Sequence, residues 1–206
     1  MERRNARDRA VAATKDRTMM AAGLILLSAF IIGFTDNHVR VIADESGLWQ
    51  FHFTRSCMVA VILSVLALPL GLRLRPRRWK GVVARSAIHG VAMVIYFGAL
   101  AFLDVALVAA GLFTAPIWVL LISRFAYGHP IGPVRIIAVM LGFAGVTLVL
   151  GPEAMGRASL AAVLPVIAGA MYAVGNIATR EWCEGESAET LVAGFFAALW
   201  LAGLIG

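Results

Sequence analysis

Long apolar stretches alternate with short charged ones along the whole chain. Seven segments, residues 18–35, 56–72, 86–103, 105–123, 136–152, 158–179 and 190–206, contain no Asp, Glu, Lys or Arg, and each is 17 to 22 residues long. About 20 apolar residues in helical form cross a hydrocarbon core of roughly 30 Å. A segment in lipid must also satisfy its own backbone hydrogen bonds, which helices do and isolated strands do not. The pattern therefore predicts an all-α, polytopic helical membrane protein with seven spans.

Turn and charge signals set the ends of these helices. A polar tail, residues 1–17, precedes a first helix over about Thr18 to His38, which ends in a loop around Asp44 and Glu45. The second helix starts near Gly47, with Trp49 at interfacial depth, and stops before the run Arg73 to Trp79, where Pro76 and dense charge oppose further helix. Little more than Asp104 separates helices three and four, so they form a tight hairpin. Gly128 to Pro133 breaks helix four from helix five, and Gly151-Pro152 closes helix five. Helix six runs from about Ser159 to Arg180, and a Glu-rich loop leads into helix seven. Pro116 and Pro165 fall within spans and predict kinks there. Shifting the chain by 140 residues lays Asp36 on Asn176 and Arg40 on Arg180. Since helices one and six run in opposite directions, this predicts inverted repeats: 18–152 as a first five-helix repeat and 158–206 as the truncated start of a second. The chain stops inside an apolar run, so it is expected to be a fragment of a longer protein.

Composition narrows the function classes. The 206 residues are 61% hydrophobic and 15% charged, with a mean hydropathy of +0.86. This excludes a soluble enzyme, a nucleic-acid binder and a secreted disulfide scaffold. The net charge of +6 would suggest a nucleic-acid partner in a soluble chain, but here its placement reports orientation. With the tail, the connection between helices two and three (Arg73, Arg75, Arg77, Arg78, Lys80 and Arg85), the one between helices four and five (Arg124 and Arg135) and Arg180 after helix six, all of the 18 basic residues except Arg40, Arg55 and Arg157 fall on one side of the predicted topology. The positive-inside rule then predicts a multi-pass inner-membrane protein with a cytoplasmic N-terminus. Cys57 and Cys183 have no partner spacing for a disulfide or zinc, so no metal and no cofactor are expected. Without an H-E-x-x-H, G-x-S-x-G or Walker motif, or paired carboxylates within the spans, an enzyme is not expected either.

Chemistry then rests on the few polar residues inside the spans. Gly98, Gly111, Ala115, Gly142, Gly145, Gly169 and Gly175 read first as close-packing positions. Arg55 is the most costly residue in the apolar segments and needs water or a partner. It shares a helical face with Trp49, His52 and Ser56, which fits a structural anchor and an anion contact equally. Three further stripes keep helical spacing: His89, Met93 and Tyr96; Gly111, Thr114 and Trp118; Gly169, Tyr172, Asn176 and Thr179. Each on its own reads as an ordinary interhelical contact, and His89 also as a titrating group in a proton-coupled cycle. Converging, they enclose a pocket for an amphipathic organic molecule, with His89, Tyr96, Thr114, Trp118, Tyr172 and Asn176 facing the substrate.

The stretch from Gly98 to Pro116, followed by Leu141 to Gly151, resembles the EamA-like branch of the drug/metabolite transporter superfamily. His52-Phe53-Thr54-Arg55 in helix two and Ala170 to Asn176 in helix six fit the resemblance as well. It departs at the inner end of helix four, where Gly128-His129 stands in place of the family's Gly-Glu. The resemblance implies ten spans in two inverted repeats and a central cavity. It also implies secondary transport of a small metabolite, often the export of amino acids or related compounds, by alternating access. The expected partners are thus a small-molecule substrate and the lipid bilayer, with the oligomeric state open. The other reading is a membrane sensor or assembly subunit that uses the bundle as a platform and moves no solute.

Overall fold

The structure, a computed structural model, describes residues 18–35, 38, 41, 45, 47–156 and 160–205, and of 149–156 the backbone alone. The polar tail, Asp36, Arg40, Asp44, Arg157 and Ser159 lie outside the described residues. Two units divide the chain, Met1–Val41 and Ile42–Gly206. The first holds helix α1, Thr18–Thr35, with a mean hydropathy of 2.0. Its Ser28 and Thr35 hydroxyls donate to the carbonyls of Ile25 and Ile31 at 2.8 and 2.7 Å. Such back-bonding hides a hydroxyl's polarity within its own helix, as lipid requires.

In the second unit the order is α2 (Leu48–Leu70), α3 (Trp79–Leu100), α4 (Val105–Leu112), α5 (Ala115–Phe125), α6 (Pro133–Gly156), a 3-10 turn (Leu160–Ala162), α7 (Val163–Trp182) and α8 (Ala188–Ile205). Among the described residues all regular structure is helical. Among the described residues of both units, six helices are long and apolar enough to cross a membrane, α1 being one and α4 with α5 together another. The seventh expected span lies in α6, whose apolar part among the described residues, Pro133–Leu148, is shorter than the others. That helix also runs through Gly151-Pro152 to Gly156 rather than closing there. A proline inside a helix removes one hydrogen bond and ordinarily kinks or ends it, yet α6 continues for four residues past Pro152.

The two prolines expected to kink helices act at helix starts instead. Pro116 sits in the first turn of α5, and the chain breaks between α4 and α5 at Phe113-Thr114. The Thr114 hydroxyl caps that break by donating to the Gly111 carbonyl at 2.6 Å. Pro165 falls in the first turn of α7, where its missing N–H has no intrahelical acceptor to lose. Asp104 lies between α3 and α4 as expected of a tight hairpin.

Packing centres on α7. It lies against α3, α4 and α5, while α8 covers α2 and α3. Its buried face is mostly small, Ala168, Gly169, Ala173, Gly175 and Ala178 beside Pro165 and Ile177. A Cβ added to Gly169 would come within 3.0 Å of the Gly111 carbonyl oxygen and the Thr114 hydroxyl, and one on Gly111 would meet Pro165 as closely. Backbone thus touches backbone where α4 crosses α7, which is how helices gain contact when lipid supplies no hydrophobic drive. By contrast, nothing lies within 4 Å of a Cβ placed on Gly142 or Gly145.

Three loops meet at one end of this unit. Gly71, at φ 61°, ends α2 in a left-handed cap, with Leu72 N–H donating to the Ala67 carbonyl at 3.0 Å. The α2–α3 loop then docks on the α7–α8 loop. The Ser187 and Thr190 hydroxyls both donate to the Arg73 carbonyl, at 2.7 and 2.5 Å. One oxygen of Glu186 accepts from the backbone N–H groups of Arg77 and Arg78, at 2.7 and 2.5 Å. The α5–α6 loop joins them through His129, whose Nε2 lies 3.6 Å from Glu181.

Candidate functional site

A polar ladder runs along the α3–α7 contact. Arg85, which the charge pattern assigned to the α2–α3 connection, belongs instead to the second turn of α3. Its Nε donates to the Thr179 hydroxyl and its Nη1 to the Leu191 carbonyl, both at 2.9 Å, so one guanidinium joins α3, α7 and α8. The Thr179 hydroxyl itself donates to the Gly175 carbonyl at 2.8 Å. One turn further along α3, His89 is 3% exposed. It lies 3.2 Å from the Arg85 carbonyl through Nδ1 and 3.4 Å from Asn176 Oδ1 through Nε2. Its ring meets Tyr172 edge to face at 4.9 Å and fills the space that the absent Gly175 side chain leaves.

Of the six residues expected to face a substrate, His89, Tyr172 and Asn176 are therefore brought together. Tyr96 stands two turns beyond His89 on α3, 4% exposed and edge-on to Phe97 at 5.2 Å. Thr114 sits at the α4–α7 crossing, its hydroxyl used by the Gly111 carbonyl. Trp118 is half-buried on α5. Asn176 is exposed, so the ladder opens outward at that residue.

What it opens into is a cleft of about 510 Å³ between α4, α5, α6 and α7. Tyr172, Asn176 and Arg135 supply its polar groups, and Phe113, Pro116 and Val139 are among its apolar walls. Arg135, on α6, is exposed and forms no ion pair among the described residues. Sequence reasoning placed this arginine in a loop; the signal available was its position just inside a helix that begins at Pro133. Two other hollows lack such chemistry. One of about 390 Å³ between α4 and α6 is lined by Ala, Gly, Val and Phe alone. The other, of about 310 Å³ between α2 and α8, includes Ser56 and Ser64, but both hydroxyls already donate to carbonyls of their own helix at 2.7 Å.

Arg55 lies elsewhere, in an aromatic setting. Its guanidinium carbon is 5.0 Å from the Phe51 and Phe97 ring centres and 5.4 Å from that of Phe196, so α2, α3 and α8 each offer it a ring face. Ring quadrupoles offset part of the loss of hydration. His52 and Ser56, on the same face, are the buried residues of α2.

The comparisons with known proteins agree with this architecture. An uncharacterized transporter from each of two Helicobacter pylori strains, 26695 and J99, is 21% identical to the chain over 195 residues. The alignment covers 93% of this chain, which spans 65% of the length of those relatives. No solved structure matches the chain. The family model that describes EamA-like transporters matches residues 19–151, more than half of the sequence. The chain is a multi-pass membrane protein and belongs to the EamA-like transporter family.

Proposed function

We propose that the protein is a secondary transporter that moves a small organic metabolite bearing a carboxylate, an amino acid or a related compound, across the inner membrane by alternating access. The observation that carries this reading is the cleft between α4, α5, α6 and α7, where one cation, one amide and one phenol stand among apolar walls. A pocket of this make-up holds an apolar body by burial and orients it through a few polar groups. Arg135 then pairs with the carboxylate, Asn176 and Tyr172 contact the solute, and His89 positions Asn176 from behind. Tyr96, Thr114 and Trp118 reach the solute in the conformation open to the opposite side, and Arg55 anchors α2 through its aromatic neighbours. The N-terminus faces the cytoplasm, as the positive-inside rule requires of the basic loop end. In the whole protein, residues 18–152 form a first five-helix repeat and 158–206 open an inverted second one, ten spans in all. The greater length of the curated relatives supports that architecture.

Uptake of labelled amino acids and small carboxylates into proteoliposomes tests this reading. Saturable flux is expected, with Asn176→Ala or Tyr172→Ala weakening apparent affinity by roughly tenfold, the size of one lost hydrogen bond. Arg135→Gln is expected to weaken carboxylates and spare their neutral amides. Flux no greater than in protein-free vesicles across the whole panel would favour the platform reading instead.

A further inference from the structure

The α2–α3 loop and the first turn of α3 carry more positive charge than the protein itself uses. Arg75, Arg77 and Lys80 are exposed, and none of them forms an ion pair among the described residues; Glu184 reaches only Arg78, at 3.8 Å. The loop is nevertheless held in one shape. Its backbone is fixed by the Gly71 cap, by Ser187 and Thr190 on the Arg73 carbonyl, and by Glu186 on the amides of Arg77 and Arg78. These bonds consume backbone groups and leave the cationic side chains available. Trp79 adds an indole that is 60% exposed, with Lys80 Nζ 5.7 Å from its ring.

We propose that this loop binds the headgroup of an anionic phospholipid. It joins the ends of two spans, so its cations stand at the depth of the phosphates. Guanidinium forks match phosphate oxygens in pairs, and an ammonium beside them adds a point charge. Trp79 favours the boundary between headgroup and acyl chain. Leu68 and Leu70 of the adjoining helix end, 91% and 64% exposed, give an acyl chain a surface that a free phosphate ion does not need. The lipid is thus an occupant recognised by charge above and by apolar contact below. This inference is independent of the transport reading, since it uses none of the cleft residues.

The test titrates short-chain phosphatidylglycerol into the detergent-solubilised protein and follows binding by thermal shift, with phosphatidylcholine of equal chain length and inorganic phosphate in parallel. Saturable binding of phosphatidylglycerol alone is expected. Near an anionic surface each basic residue contributes about fivefold, so Arg75→Gln with Arg77→Gln and Lys80→Gln is expected to weaken binding on the order of a hundredfold. A second variant, Arg75→Lys with Arg77→Lys, keeps the charge and loses the paired forks, so its affinity is expected to fall between those of the unaltered protein and the neutral variant, which keeps the result readable if the neutral variant assembles poorly. Equal binding of phosphatidylcholine, saturation by inorganic phosphate at the same affinity, or unchanged affinity in the neutral variant would each overturn the proposal.

Discussion

At the residue scale, glycines that look alike in the sequence divide sharply in the fold. Gly111 and Gly169 stand where α4 and α7 touch, against backbone that cannot rotate away, whereas Gly142 and Gly145 face open space. Gly111→Ala and Gly169→Ala are therefore expected to cost about 1 to 3 kcal/mol each, the usual range for overpacking. Gly142→Ala and Gly145→Ala are expected to be neutral, or stabilising by up to about 1 kcal/mol through helix propensity. Thermal unfolding in a single detergent reads all four, and equal losses across the set would contradict the crossing described. The sequence shows that small residues are abundant, and it cannot show which of them meet, because that depends on how far each helix is rotated about its axis. His52 makes the opposite case. It is fully buried, and neither ring nitrogen has a hydrogen-bond partner among the described residues. Since an unsatisfied buried polar group costs about 1 to 3 kcal/mol, His52→Leu is expected to raise the unfolding temperature, and a fall would assign the ring a partner. Cys183, just beyond α7, is buried, and burial pushes its thiol up against the opposing pull of Arg85. With less thiolate present at neutral pH, its alkylation is expected to run slower than that of a free thiol and to gain only as pH rises beyond the ordinary thiol range.

Between helices, the legible part was the apolar run and the illegible part was its end. A charge at the edge of an apolar segment reads as loop, and so Arg85 was assigned to a connection. In the fold, Arg85 is kept inside by acceptors on two other helices, Thr179 and Leu191, which lie about a hundred residues away in the chain and which no local pattern reveals. Thr179→Val keeps the shape and removes the acceptor, so a loss of about 1 to 3 kcal/mol is expected. Arg85→Met is expected to lose more, and the double variant less than the sum of the two, because the interaction can be removed only once. Strict additivity in that cycle would dissolve the ladder. The split of helix four was half legible: Pro116 announced a disruption, but only the structure shows it as two helices hinged at Phe113-Thr114.

For the whole molecule, six of the seven expected spans and the tight hairpin at Asp104 were readable, since lipid makes the length of an apolar run nearly sufficient to identify a span. The meeting of His89, Tyr172 and Asn176 was readable as three stripes but not as one ladder. Arg135 escaped notice because it becomes a cleft residue only once α6 lies against α4, across the cleft from α7. The proposed function stands on α7 turning Asn176 to the cleft, as a route open to water, while it buries Ala173 against its neighbours. Its most direct test is single-cysteine labelling with a charged, membrane-impermeant thiol reagent, after Cys57 and Cys183 have been replaced by alanine. Asn176→Cys is expected to label and to be protected by a transported carboxylate, and Ala173→Cys is expected to stay unlabelled. Labelling at neither position, or at both alike, would contradict a water-filled cleft at this face of α7.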